Sequence, residues 1–388
     1  MNICILGRQP AIGLAELESL YGAQAVRKVR SDIACVDVPV DFERLGGTVK
    51  VAHLLDTIRE TNPQKAFDYV RRVLPDFVSD FPDGKIKLGM SLYGLNMPLQ
   101  KQTANTLSLK KTLRERGRSV RVVPNTEPAL SSAQTYHNQL TSEVGCELVL
   151  VQTDDQILIG RVTNVQNINE YVERDRERPK RDTRVGMLPP KLAQTIINLA
   201  TAAQPARPDF QVLDPFCGTG VVLQEAALMR YGIYGSDIEP RMIEYTEKNL
   251  TWLGGRTSVQ LHPRLEVGDA TDHIWSHPIH TVACEGYLGT PFAQKPSRDA
   301  LNNSMMTCNL IMRKFLKNIY PQLSHGTRLC IAAPVWFVQG SSHQLPVLDD
   351  LENLGYNRID FEHAQREELI YRRDDQVVGR ELVVFVKQ

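Results

Sequence analysis

Gln211-Val212-Leu213-Asp214-Pro215-Phe216-Cys217-Gly218-Thr219-Gly220 reads as the end of a buried strand, an acid at its tip, and a glycine turn. From Val221 to Tyr231 apolar residues then recur at helical spacing. A strand, a Gly-rich turn and a helix let the backbone approach a nucleotide-like ligand, because Gly has no Cβ in the way. A second strand follows at Tyr234-Gly235-Ser236 and ends in Asp237, where such folds hold the hydroxyls of a ribose. The dinucleotide fingerprint is absent, since no third Gly follows Gly220 at the required spacing. A phosphate-binding P-loop is absent too, since no Gly-Lys-Ser/Thr follows. The pattern therefore describes a site for a ligand with a ribose and no phosphate, which S-adenosylmethionine (SAM) satisfies.

Outward from this stretch, strands and helices alternate to the end of the chain, which predicts a parallel sheet covered on both faces. The expected strands are 211–214, 232–237, 264–267, 280–284, 327–333, 356–361 and 380–387, a mostly parallel seven-stranded, Rossmann-like α/β sheet. Ligands in such sheets bind beyond the carboxyl ends of the strands. Asp214, Phe216, Cys217, Gly218, Thr219 and Gly220 are therefore candidates to hold the methionyl part. Asp237 is the candidate for the ribose and Ile238 for the adenine face. Gly268-Asp269-Ala270, after the third strand, offers Asp269 to the adenine amino group, with Ala270 beside it.

The fourth strand tip reads Cys284-Glu285-Gly286-Tyr287. Methyl transfer to an exocyclic base amine gains mainly from orientation. Glu285 supplies an acceptor for the amine hydrogens and Tyr287 a face on which the base stacks. The rival reading makes Glu285 a surface acid and Tyr287 a loop anchor. Cys284 is a weaker candidate, as a covalent nucleophile, while Cys217 reads as a packing residue of the turn. No G-x-S-x-G nucleophile elbow is present.

The chain has 388 residues, too many for one ordinary core, so several domains are expected. The hydrophobic share of 42% and charged share of 23% are those of a globular protein. No run of apolar residues reaches membrane-spanning length. The cysteines stand singly, without metal-ligand spacing, so neither a zinc site nor a disulfide framework is expected and a reducing cytoplasmic setting is. The net charge of zero argues against gross nucleic-acid affinity. Its distribution does not: Lys101, Lys110, Lys111, Arg114, Arg116, Arg118 and Arg121 face a single acid, Glu115. That cluster reads as an RNA contact or, less favoured, a solvated face. Residues 174–184 mix Arg174, Arg176, Arg178, Lys180, Arg181 and Arg184 with acids and fit either role.

Asp214 to Gly220, preceded by Gly186-Met187-Leu188-Pro189-Pro190-Lys191-Leu192-Ala193, resembles the THUMP-domain tRNA guanosine-10 N2-methyltransferases of archaea and eukaryotes. The resemblance implies a ferredoxin-like N-terminal domain at 1–62, a THUMP RNA-binding domain at 63–165, a charged linker at 166–185 and a Rossmann-like methyltransferase domain at 186–388. It implies SAM as cofactor, tRNA as partner, and Pro189 and Lys191 beside the cofactor. Lys110, Lys111, Arg114, Arg116, Arg118 and Arg121 become candidate RNA contacts. The family carries Asp-Pro-Pro-Tyr at the fourth tip, and this chain has Cys284-Glu285-Gly286-Tyr287 there. Eukaryotic relatives use a small activating protein; intact N-terminal units favour self-sufficiency. Another RNA position, DNA adenine, or an RNA-binding protein without catalysis are the alternatives. No metal and no membrane are expected.

Overall fold

The structure, a computed structural model, describes residues 1–182, 187–290, 292, 296–338, 341–373 and 376–388. Arg184 and Gly186, named above, lie outside them. The chain forms two units. The first comprises Met1–Pro10, Gln24–Glu43 and Thr48–Glu170, and the second Ala11–Ala23, Arg44–Gly47 and Tyr171–Gln388.

The first unit is built on strands β1 (Asn2–Leu6), β2 (Val26–Arg30), β3 (Ile33–Val36), β4 (Thr48–Ile58), β5 (Ile86–Tyr93), β6 (Val120–Val122), β7 (Gly145–Gln152) and β8 (Ile157–Val165). They join in one sheet in the order β2-β3-β1-β4-β8-β7-β5-β6. The long strand β4 pairs with β1 on one side and β8 on the other. The regions assigned from sequence to two domains, 1–62 and 63–165, therefore share a single sheet. The register of β4 places Lys50 in the interior, where it is 1% exposed. Its Nζ lies 2.6 Å from Glu147 Oε1 and donates to the Leu130 carbonyl at 2.7 Å. Ser91 and Thr135 donate to the same carboxylate. Burial pushes the Lys50 ammonium down, and Glu147 opposes that shift.

The second unit contains helix α1 (Pro10–Tyr21) apart from its first residue. Glu16 in that helix is fully buried and ties distant segments together. Its carboxylate accepts from the amides of Gly46 and Gly47 at 2.9 and 2.8 Å, and from Asn198 Nδ2 at 2.7 Å. A Cβ on Gly46 would lie 2.0 Å from the Lys191 carbonyl, so only Gly fits there. This carboxylate explains why α1 and residues 44–47, which sequence alone assigns to an N-terminal domain, belong to the second unit.

The remaining helices up to residue 176 are α2 (Pro63–Phe77), α3 (Leu99–Glu115), α4 (Ser132–His137) and α5 (Ile168–Arg176). Helix α5 occupies part of the stretch read as a charged linker. Its charges find partners: Arg174 meets Glu225 at 2.8 Å and lies over the Tyr171 ring. The basic helix α3 is followed by Gly117 at φ 80°, the left-handed position at which glycine ends a helix. Lys111, Arg114, Arg116 and Arg121 are exposed, whereas Arg118 donates to the carbonyls of Phe81 and Pro82. Part of the basic cluster thus serves the fold.

Helices α6 (Pro190–Thr201), α7 (Val221–Leu228), α8 (Pro240–Gly254) and α9 (Arg298–Ile319) accompany the second sheet. Its strands are β9 (Gln211–Asp214), β10 (Gly232–Asp237), β11 (Arg264–Val267), β12 (Thr281–Glu285), β13 (Arg328–Val338), β14 (Ser341–His343), β15 (Tyr356–Arg358), β16 (Ile370–Tyr371) and β17 (Val378–Lys387). The main path runs β11-β10-β9-β12-β13-β17-β15. Among the described residues the sheet has nine strands and is mixed, which corrects the mostly parallel seven-stranded expectation. From β11 to β13 the pairing is parallel. From β13 onward it is antiparallel. Parallel neighbours need a long crossover. Beyond β13 the described chain holds only short 3₁₀ turns between strands, so the chain folds back on itself.

Candidate active site

The chain leaves β9 outward to β10 and β11, then returns to pair β12 on the other side of β9. Strand order reverses at β9, and a crevice opens beyond the carboxyl ends of its neighbours. Asp214, Asp237 and Glu285 are the last residues of β9, β10 and β12. All three line one cavity of about 520 Å³.

The glycine turn shapes its floor. Gly218 and Gly220 adopt φ 53° and 79°, a region that L residues with a Cβ avoid. A Cβ on Gly220 would also approach Thr246 Cγ2 to 2.8 Å. The Cys217 amide donates to the Ser236 carbonyl at 3.0 Å, and the Gly220 amide to the Cys217 carbonyl at 2.7 Å. Asp237 grips the same turn: Oδ2 accepts from the Gly218 amide at 2.9 Å and Oδ1 from the Glu239 amide at 3.0 Å. Asp214 Oδ1 accepts from the Phe216 amide at 3.1 Å. Phe216 is anchored edge-on against Phe315 of α9.

The electrostatics are one-sided. Asp182, Asp214, Asp237, Glu239 and Glu285 line the cavity, and among the described lining residues Arg241 is the one cation. Arg241 stands 3.5 Å from Asp182. Burial pushes the Asp214 carboxyl well above the usual carboxylate range, and the neighbouring Asp237 and Glu285 add to it. Burial also raises Asp237, against the two backbone amides that bind it. Glu285 is raised by burial and pulled back by Arg380, whose Nε donates to Glu285 Oε1. Such a pocket favours a cationic guest.

Of the residues singled out from sequence, Asp214, Phe216, Cys217, Gly218, Thr219, Asp237, Ile238, Glu285 and Tyr287 line this cavity together. Ile238 is 59% exposed and Tyr287 37%, both at its mouth. Gly220 shapes the turn from behind. Asp269, Ala270, Pro189 and Lys191 are not among the lining residues. Asp269 Oδ1 caps a turn by accepting from the Thr271 amide at 2.9 Å. Ala270 is core, with its carbonyl bound by Asn318. Pro189 precedes the first turn of α6, and the Lys191 ammonium lies over the Tyr171 ring at 4.7 Å. Cys217 and Cys284 are buried, and burial lifts both thiols far above reactivity at neutral pH.

The sequence does not disclose Asn249. It is fully buried in α8; its Nδ2 donates to the carbonyls of Thr219 and Lys180, and its Oδ1 accepts from the Lys180 amide. It joins the glycine turn to Lys180, two residues before the cavity-lining Asp182. Nothing in its local sequence marks it. Among the described residues no group of three or more His, Cys, Asp and Glu is placed to hold a metal. No described helix is long and apolar enough to cross a membrane.

A doubly wound sheet, an acid-tipped glycine turn and an acid-lined crevice define the fold class of nucleoside-binding α/β proteins. Residues 178–271 match the family described as RMKL-like, methyltransferase domain. A Pyrococcus abyssi protein named tRNA (guanine(10)-N2)-dimethyltransferase is 32% identical over 44% of this chain and 44% of its own length. The protein of that name from Methanothermobacter thermautotrophicus is 31% identical over 38% and 39%. That from Methanocaldococcus jannaschii is 25% identical over 61% and 65%. The chain thus matches less than two thirds of each of these relatives. Among solved structures, TrmN from Thermus thermophilus superposes with a TM-score of 0.53 at 16% identity, covering 100% of this chain and 99% of that one. A putative methyltransferase complexed with SAH gives 0.50 at 13% identity, with 100% and 98% covered. These likenesses are of fold.

Replacing Asp237 by Ala removes the acceptor for the Gly218 and Glu239 amides. SAM affinity by calorimetry is expected to fall by about 1–3 kcal/mol; an unchanged affinity contradicts the placement of the ribose at this tip.

Proposed function

We propose that the protein is a SAM-dependent methyltransferase acting on the exocyclic N2 of a guanosine in tRNA, position 10 by its resemblance and its relatives. The observation that carries this reading is the convergence of Asp214, Asp237 and Glu285 on one cavity beside the glycine turn. The donor set fits the cofactor: carboxylates suit a sulfonium, an ammonium and a ribose, and among the described lining residues there is no lysine to bind a phosphate. Asp214 and the turn hold the methionyl part, Asp237 the ribose, and Ile238 covers the base. Pro189 and Lys191 support the segment that enters the site. When bound, SAM supplies an electrophilic methyl whose departing sulfur becomes a neutral thioether. Glu285 accepts hydrogens of the target amine, and Tyr287 stacks its base. The target is turned out of its helix at a cost of a few kcal/mol.

In this reading residues 1–62 and 63–165 serve as ferredoxin-like and THUMP modules that dock tRNA. The α3 region contributes Lys110, Lys111, Arg114, Arg116 and Arg121, while Arg118 has its structural bonds to keep. In this reading the enzyme works in the cytoplasm.

The raised carboxyls give a pH signature. Asp214 and Asp237 take up protons more readily when folded than when unfolded, so the stability they lend is full at low pH and is lost as pH rises through their raised values. A cation in the cavity reverses that sign by favouring the ionised forms. SAM affinity is therefore expected to rise as pH climbs through and above the ordinary carboxylate range, with proton release on binding. Calorimetry in buffers of different ionisation enthalpy reads this; a pH-independent affinity contradicts it. Incubation with methyl-labelled SAM and bulk tRNA, followed by nucleoside analysis, tests the whole reading.

A further inference from the structure

We infer that Arg380 is a positioning residue that makes the tip of β12 an acceptor-only anion, and that this anion selects guanine over adenine as the methylated base. The inference rests on the function proposed above.

Arg380 lies on β17, opposite Pro334 of β13, and its side chain is 7% exposed. Its Nε donates to Glu285 Oε1 across β13. Its sequence neighbour Glu381 is claimed separately by Arg358 of β15, at 2.6 Å. Strand alternation sends the two to opposite faces, so Arg380 alone of this pair reaches the cavity side. Among the described residues, the other charged groups that line the cavity with Glu285 are the carboxylates of Asp214 (β9), Asp237 (β10), Asp182 and Glu239 and one cation, Arg241, which stands 3.5 Å from Asp182. No described residue donates to Glu285 Oε2. One oxygen is thus fixed by the guanidinium, and the other is left for a guest.

A carboxylate held this way accepts and cannot donate. Guanine presents N1–H and the N2 amine side by side, donors throughout. Adenine presents the N6 amine beside the N1 lone pair, and cytosine its N4 amine beside the N3 lone pair. An anion at this tip satisfies the guanine pair and is repelled by the ring lone pair of the other two. Discrimination then comes from a mismatched acceptor as much as from the matched donors. Without Arg380, burial acts on Glu285 unopposed and pushes its carboxyl further up, toward the protonated form. A protonated Glu285, like a glutamine, offers a donor to adenine N1.

The experiment uses the full chain with labelled SAM and bulk tRNA, reading labelled guanosine and adenosine separately, kcat against pH, and SAM affinity. In Arg380→Met the acidic limb of kcat is expected to move up by about one pH unit or more, with kcat at neutral pH down about tenfold and SAM affinity nearly unchanged. Arg380→Lys is expected to restore most of the profile. Glu285→Gln, which keeps the volume and the bond to Arg380, is expected to lower the guanosine-to-adenosine label ratio. Should Arg380→Met not fold, Glu285→Gln still decides: a wild-type label ratio in that variant overturns the inference. A superimposable Arg380→Met profile overturns it as well. A wild-type protein that labels no nucleoside overturns the proposed function instead.

Discussion

Replacing Glu285 by Gln is expected to lower methyl transfer about 10²–10⁴-fold, the span of a positioned acid–base group, while leaving SAM bound. The change keeps the length of the side chain and an oxygen for Arg380, so the end of β12 stays in place. What it removes is the negative charge at the tip. As the target nitrogen takes the methyl it becomes cationic and must shed a proton, and a carboxylate at this tip stabilises both events. In the proposed reading Asp214 and Asp237 remain to hold the cofactor, so affinity measured by calorimetry is expected to change by less than about threefold (about 0.6 kcal/mol). A Glu285→Gln enzyme with near-normal kcat places the chemistry on another group.

The second large effect lies in the first unit. Lys50→Met is expected to destabilise the β4 sheet by about 3–5 kcal/mol, because it leaves the Glu147 carboxylate buried without its counter-charge. Glu147 is fully buried, and the remaining Ser91 and Thr135 hydroxyls do not neutralise it. Methionine fills the space of the lysine stem, so the loss reads the charge rather than a cavity. Adding Glu147→Met to it is expected to recover much of the stability, since a well-packed apolar pair replaces a buried ion pair at little net cost. Urea unfolding of the single and double variants measures this. A single variant within about 0.5 kcal/mol of wild type, the range of ordinary surface changes, contradicts the account.

The second unit was legible in the sequence where chemistry and strand ends coincide. Asp214, Asp237 and Glu285 each stop a short apolar run, and β9, β10 and β11 begin and end where the apolar pattern does. The antiparallel end of the sheet was less legible, because β14 and β16 are short strands set by pairing rather than by their own residues. In the first half β4 escaped notice because Lys50 occupies an interior position and hides the alternation of its neighbours. The allegiance of α1 was hidden for a similar reason. Glu16 looks like a solvated acid until the amides of Gly46 and Gly47 are brought to it. Asn249 and Arg380 act on residues far away in the chain, and no local pattern signals such a role.

The most direct test of the central claim is transfer of labelled methyl from SAM to bulk tRNA by the purified protein, with digestion to nucleosides. Label is expected in N2-methylated guanosine, lowered about 10²–10⁴-fold in Glu285→Gln and reduced in Asp237→Ala. Label in N6-methyladenosine, or none despite measured SAM binding, contradicts it.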